Sequence, residues 1–187
     1  MIKILAFISL FALIMLLLIL PIPERVGSID FRPYWSASYL FSRGLDFGDL
    51  QVLDQVKRNL TAWDEDFTMQ AWFTPIGHLL LAPLTLLPFF TAARFWLLSN
   101  ILVLSLSSLF LASDVPSKTW LPLVGVFSYS MSLTSLMFGQ VNTLSLLGFA
   151  LYFYFRSKNK NLLAGISLLL LLIKPHLVIV TLPLLIT

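Results

Sequence analysis

"TPIGHLLLAPLTLLP" (Thr74–Pro88) and "AARFWLLSNILVLSLSSLFLA" (Ala92–Ala112) stand side by side, and their reading decides how the chain is threaded. The second run is continuous and apolar, long enough for a helix to cross about 30 Å of hydrocarbon. The first carries Pro75, Pro83, Pro88 and His78 within about fifteen residues. It is short for a crossing, and the spacing predicts a re-entrant segment that enters and leaves on one side.

Working outward, two more apolar runs follow, Trp120–Phe138 and Val141–Phe155, separated by "GQVN" (139–142). "RSKNK" (156–160) is the densest basic cluster, which assigns it to the cytosolic side. Leu162–Ile173 then leads to "KPH" (174–176) and a last run that stops at Thr187. If 74–88 does not cross, the three runs between it and "RSKNK" bring that cluster to the cytosol. "GQVN" and "KPH" then share the outer side with the long loop that precedes 74. A chain ending inside an apolar run predicts a longer protein, of which these residues are the N-terminal part.

Before the proline run lie two contrasting stretches. Ile4–Leu20 is free of charge and ends at Pro21 and Pro23. It lacks a small-residue cleavage site, so 4–22 reads as an uncleaved first transmembrane helix with a cytosolic N-terminus. From 23 to 73 the chain turns polar and holds eight of the nine acidic residues. Pro33 predicts a helix running toward Gly44 and carrying Tyr34, Trp35 and Tyr39, aromatic as at a headgroup interface. Asp49 predicts an N-cap for a second helix, to about Trp63, with Leu53, Val56, Leu60 and Trp63 on one stripe and Lys57 and Arg58 off it. Two amphipathic helices lying on the membrane surface fit this pattern, as does a small soluble lid.

The composition agrees. Of 187 residues 58% are hydrophobic and only 11% charged, with a mean hydropathy of +0.91. Soluble domains are about one-quarter charged, so the expected class is an all-α polytopic membrane protein. A net charge of +3 from scattered basic residues excludes a nucleic-acid partner. The chain has no cysteine, and its two histidines lack metal-ligand spacing, so no metal or other cofactor is expected.

Several polar residues invite more than one reading. Asp30 suits a loop acid or the cap of the Pro33 helix, Arg32 a snorkelling cation, and Asp46 a turn former. Gln140 and Asn142 suit helix–helix hydrogen bonds. Lys174, ionisable amid apolar sequence, is a functional candidate by default, although a helix end at the interface also suits it. His78 and His176 are possible pocket residues. A transporter with broken helices at mid-membrane and a non-catalytic scaffold both accommodate these groups.

"DFRPYWSASYLFSRGLDFGDL", "FTPIGHLLLAPLTLLPFFTAARFW", "FGQVNTLSLLGFALYF" and "RSKNKNLLAGISLLLLLIKPHLVIV" occur in that order. Together they resemble the N-terminal half of glycosyltransferase family 87, mannosyltransferase-like enzymes with a GT-C-type transmembrane helix bundle. Phe73-Thr74 stands where that family often has tyrosine-proline, and Phe47 follows Asp46 where tyrosine is common. The resemblance implies transfer of a hexose, mannose by analogy, from a polyprenyl-phosphate donor to a glycan or glycolipid hydroxyl, with inversion, on the extracytoplasmic face. It implies Asp30 as the base that takes the acceptor's proton. Arg32, Tyr34, Asp46, His78, Gln140, Asn142, Lys174 and His176 become candidates for holding donor or substrate, with Arg32 and Lys174 suited to phosphate.

Overall fold

The computed structural model describes residues 25–67, 69–72, 74–113, 120–174 and 176. The expected transmembrane helix at 4–22 and the final apolar run lie outside these residues. Among the described residues every regular element is helical.

Helix α1 spans Phe31–Phe41 and α2 spans Leu50–Thr61. The proline run folds as α3, Pro75–Leu81, tightening into a 3₁₀ turn over Ala82–Leu86 before extended Leu87 ends it. Pro83 lacks the N–H that an α-helix would require there, which favours the change of pitch. Helix α4, Phe89–Leu111, follows at once with 23 residues, about 35 Å long. It is the one helix among the described residues that is long and apolar enough to cross a membrane.

Trp120–Phe138, read from the sequence as one run, is two helices: α5, Trp120–Ser128, and α6, Ser130–Phe138. Tyr129 between them has an extended backbone (φ −79°, ψ 120°), which breaks the helical ladder. Helix α7, Asn142–Ser157, packs along α4. The Asn100 and Thr143 side chains hydrogen-bond across that pair, giving two buried polar groups each other as partners. Helix α8, Asn161–Ser167, runs into a 3₁₀ segment, Leu168–Ile173, that stops at Lys174.

The aromatic residues of α1 are placed differently from expectation. Tyr34 and Trp35 are 5% and 3% exposed, within a core shared with Leu81, Phe89, Trp96 and Ile173. Phe31 stacks on Trp96 with ring centroids 5.3 Å apart, and Trp35 meets Phe89 edge-on at 5.6 Å. Each such pair adds about 0.5–1.5 kcal/mol beyond area burial. The Trp35 indole N–H donates to the Leu84 carbonyl at 3.1 Å, beside the Leu87 N–H that donates to the same oxygen at 3.2 Å. These rings therefore face other helices rather than headgroups. Trp72, by contrast, is 73% exposed.

Helix α2 begins as its sequence predicts. Asp49 is extended, and its carboxylate accepts from the Gln51 and Val52 N–H groups at 2.8 and 3.3 Å, a cap worth about 1 kcal/mol. Its buried stripe is shifted, however. Leu53 packs on Ala37 and Leu40, while Leu60 is exposed and Lys57 is fully buried. The Lys57 Nζ pairs with Asp54 Oδ1 at 3.3 Å, without the alignment of a directed hydrogen bond, and lies 5.4 Å from the centre of the Trp63 ring. Burial pushes the Lys57 pKa down, and Asp54 partly offsets this. A long aliphatic stem lets lysine occupy a position that a hydrophobicity stripe leaves to solvent.

Candidate active site

Two glycines 112 positions apart in sequence create the centre of the site. Gly139 ends α6 in the left-handed region (φ +74°). Its N–H donates to the Leu136 carbonyl at 3.2 Å and that of Gln140 to Ser135 at 2.9 Å, a Schellman closure. A Cβ on Gly139 would lie 2.3 Å from the Gly27 carbonyl oxygen, so the two backbones meet only because no side chain intervenes. The Gly27 N–H donates to Met137 O at 2.6 Å and the Asp30 N–H to Phe138 O at 2.8 Å. The Trp96 indole N–H donates to Gly139 O at 2.8 Å, holding the same turn from α4.

This clamp sets Asp30, at the start of α1, against Gln140. Asp30 makes no side-chain cap bond to its own helix, so its carboxylate is available to other groups. Its Oδ2 accepts from Gln140 Nε2 at 2.9 Å. Gln140 Oε1 in turn accepts from Asn142 Nδ2 at 2.6 Å and from the Ser135 hydroxyl at 3.4 Å. The Asp30 carboxylate only accepts, so the N–H₂ end of the Gln140 amide faces it and the carbonyl end faces Asn142 and Ser135. Asp30 itself is half-buried.

Tyr34 and Lys174 complete the cluster. Burial, with the Asp30 charge adding to it, pushes the Tyr34 phenol up to about 12, so it stays protonated as a hydrogen-bond donor. Lys174 Nζ lies 5.9 Å from the Tyr34 ring centre. Burial lowers the Lys174 pKa and attraction to Asp30 raises it, so the ammonium and the carboxylate act on each other. Thr74 holds the backbone just before Lys174 in place: its N–H donates to Ile173 O at 3.2 Å and its hydroxyl to Leu172 O at 2.8 Å.

Asp30, Tyr34, Gln140, Asn142 and Lys174 thus come together, and the other candidates sit elsewhere. Arg32 is 3% exposed and turned toward α2. It donates to Thr61 O at 3.2 Å and Ser28 Oγ at 2.9 Å, between the rings of Trp63 and Phe89. Asp46 Oδ1 accepts from the Gly48 N–H at 2.8 Å and shapes the α1–α2 turn. His78 is buried at the far end of α1, its Nδ1 3.3 Å from Ser38 Oγ and its ring against Phe41 and Phe47. His176 is exposed, two residues past Lys174. Ser135 and Trp96, which orient the turn, escape sequence reasoning. Ser135 stands five residues before Gln140, a Schellman spacing that could have flagged it.

A carboxylate held by an amide, with an ammonium and a phenol beside it, can accept a proton while the cation steadies a second negative charge. The family model of glycosyltransferase family 87 matches residues 72–187, which include Gln140, Asn142 and Lys174 and begin after Asp30. No curated protein and no solved structure matches the chain.

Proposed function

Because the chain belongs to glycosyltransferase family 87, we propose that it transfers a hexose, mannose by analogy, from a polyprenyl-phosphate donor to an acceptor hydroxyl. The reaction inverts the anomeric carbon and takes place on the extracytoplasmic face of a multi-pass membrane protein. The observation that carries this reading is the Asp30 carboxylate held 2.9 Å from Gln140, with Lys174 in its field.

The acceptor oxygen forms its bond to C1 as the bond from C1 to the phosphate oxygen breaks, that oxygen keeping the electron pair. Asp30 takes the acceptor's proton. A sugar hydroxyl is a poor nucleophile, and a positioned base contributes about 10²–10⁴-fold to such a step. The departing lipid phosphate needs no strong acid. It needs positive charge and donors, which Lys174 and the Tyr34 hydroxyl supply. Gln140 and Asn142 keep the carboxylate aimed, and the matched region contributes both. Arg32 and Asp46 act on this site through the position of α1. His176 lies at the rim beside Lys174.

The test uses the full chain reconstituted in bilayers with a hexosyl polyprenyl phosphate donor. Product should carry the opposite anomeric configuration to the donor, and Asp30→Asn should lower transfer about 10²–10⁴-fold. Wild-type rates from that variant would overturn the assignment. Transfer is expected to persist in excess chelator. Loss there, with recovery on adding a divalent ion, would show that a metal takes part.

A further inference from the structure

Helix α4 grips the turn that carries Gln140 at both of its ends. Trp96 donates to the Gly139 carbonyl at 2.8 Å, where the turn begins. One helical turn further along α4, the Asn100 side-chain oxygen accepts the hydroxyl of Thr143, the residue after Asn142. Residues four apart share a helix face, so the two grips lie one above the other. Asn100 and Thr143 are 2% and 4% exposed and meet across the contact between α4 and α7.

Such a bond is not the rule for polar groups on this helix. Ser99, Ser105, Ser107 and Ser108 each donate to a carbonyl of α4 itself. Asn100 also donates within the helix, from its amide N–H₂ to Trp96 O at 3.0 Å. A carbonyl only accepts, so this bond orients the amide and leaves its Oδ1 facing Thr143. The connections then form a ring. Asn100 holds Thr143, the backbone leads to Asn142, its amide donates to Gln140 at 2.6 Å, and Gly139 returns to Trp96. Gln140 is the member that meets Asp30, at 2.9 Å.

We infer that Asn100 and Thr143 are positioning residues for the reaction. They set the register of α7 against α4, and with it the place of Asn142 and the aim of Gln140 at Asp30. Both act through Gln140 rather than on the carboxylate. This inference rests on the transfer reaction proposed above and adds two buried residues on which its rate depends.

The test separates position from stability. Thr143→Val strands the Asn100 oxygen, and should lower both the melting temperature and the rate, while Thr143→Ser keeps the hydroxyl and should restore both. Asn100→Leu/Thr143→Val replaces both partners by apolar groups of similar shape, an exchange that can be nearly neutral for folding. The double variant should therefore regain stability yet keep a kcat about fivefold low, with both KM values within about twofold of wild type. On a Gln140→Leu background, Thr143→Val should cost less than about twofold more in rate. Hydrogen exchange of the full chain in nanodiscs reads the same geometry without turnover. The Asp30 and Gln140 N–H groups, bonded to Phe138 O and Ser135 O, should exchange about fivefold faster in the double variant, and those of α2 at the wild-type rate. Wild-type kcat in a stable double variant, an undiminished loss on the Gln140→Leu background, or unchanged exchange at Asp30 and Gln140 would each overturn the inference. If the double variant does not fold, the comparison of Thr143→Val on the two backgrounds decides. A chain that transfers no hexose but shows the faster exchange would lose the reaction and keep the clamp.

Discussion

The two ends of α1 are held by opposite means. At the Asp30 end, backbone meets backbone: Gly27 and Gly139 touch, main-chain bonds run to Met137 and Phe138, and Asp30, Gln140 and Asn142 form one hydrogen-bonded chain. At the Ser38 end, rings meet rings around an open space, and His78 is its buried polar element. The first arrangement fixes atoms to fractions of an ångström, which a proton transfer needs. The second leaves an open space beside its rings. Close backbone contact and aromatic packing thus hold the two ends of one helix.

The contrast can be broken most severely at Asp30. Asp30→Asn keeps shape and removes the base, and transfer should fall about 10²–10⁴-fold in a single-turnover assay. Next is Gly139→Ala, which puts a methyl 2.3 Å from the Gly27 carbonyl at a φ of +74°. It should cost about 3 kcal/mol in thermal unfolding in detergent, and transfer should fall with it. An alanine variant with wild-type stability would show that the two backbones need not touch.

Tyr34 sharpens the comparison through pH. Its phenol is raised to about 12 from an ordinary value of 10.0 by burial and then by Asp30. The unfolded chain releases this proton first, so the stabilisation is complete below pH 10 and is lost as pH rises toward 12. The loss should reach about 2–3 kcal/mol, and Tyr34→Phe should remove that part of the slope in melting curves between pH 9.5 and 12. Gln140→Leu, which leaves Asp30 unaimed, should slow transfer about tenfold with little change in melting, a cost of about 1.4 kcal/mol. The smallest effect belongs to the aromatic end. His78→Phe keeps the ring stack and loses the Ser38 partner, costing about 1 kcal/mol in stability. A loss as large as that of Gly139→Ala would erase the distinction between the two ends.

Local signals were legible in the sequence, and pairings across distance were not. Asp49 announces its cap because the acceptor and the N–H groups it serves lie within three residues. The prolines of 74–88 announce a run that fails to become a long helix. Tyr34 and Trp35 read as interface residues because an aromatic stripe looks the same whether lipid or another helix covers it. Here Phe89 and Trp96 of α4 do so. Arg32 reads as a companion of Asp30 because it is two positions away, yet residues i and i+2 on a helix face different directions. It points instead to Thr61 and Ser28. Gln140 was recognisable as an unusual polar residue between apolar runs, but nothing local to it names Asp30.

The join between Asp30 and Gln140 also has a timetable. The two residues are 110 positions apart, and ribosomes add about 5–20 residues per second. The first loop therefore waits roughly 5–20 s, its carboxylate without the Gln140 partner, until the α6–α7 turn arrives. A nascent chain interrupted before Gly139 holds the acid but not its orientation. Synthesis itself keeps the centre unassembled until the surrounding helices exist.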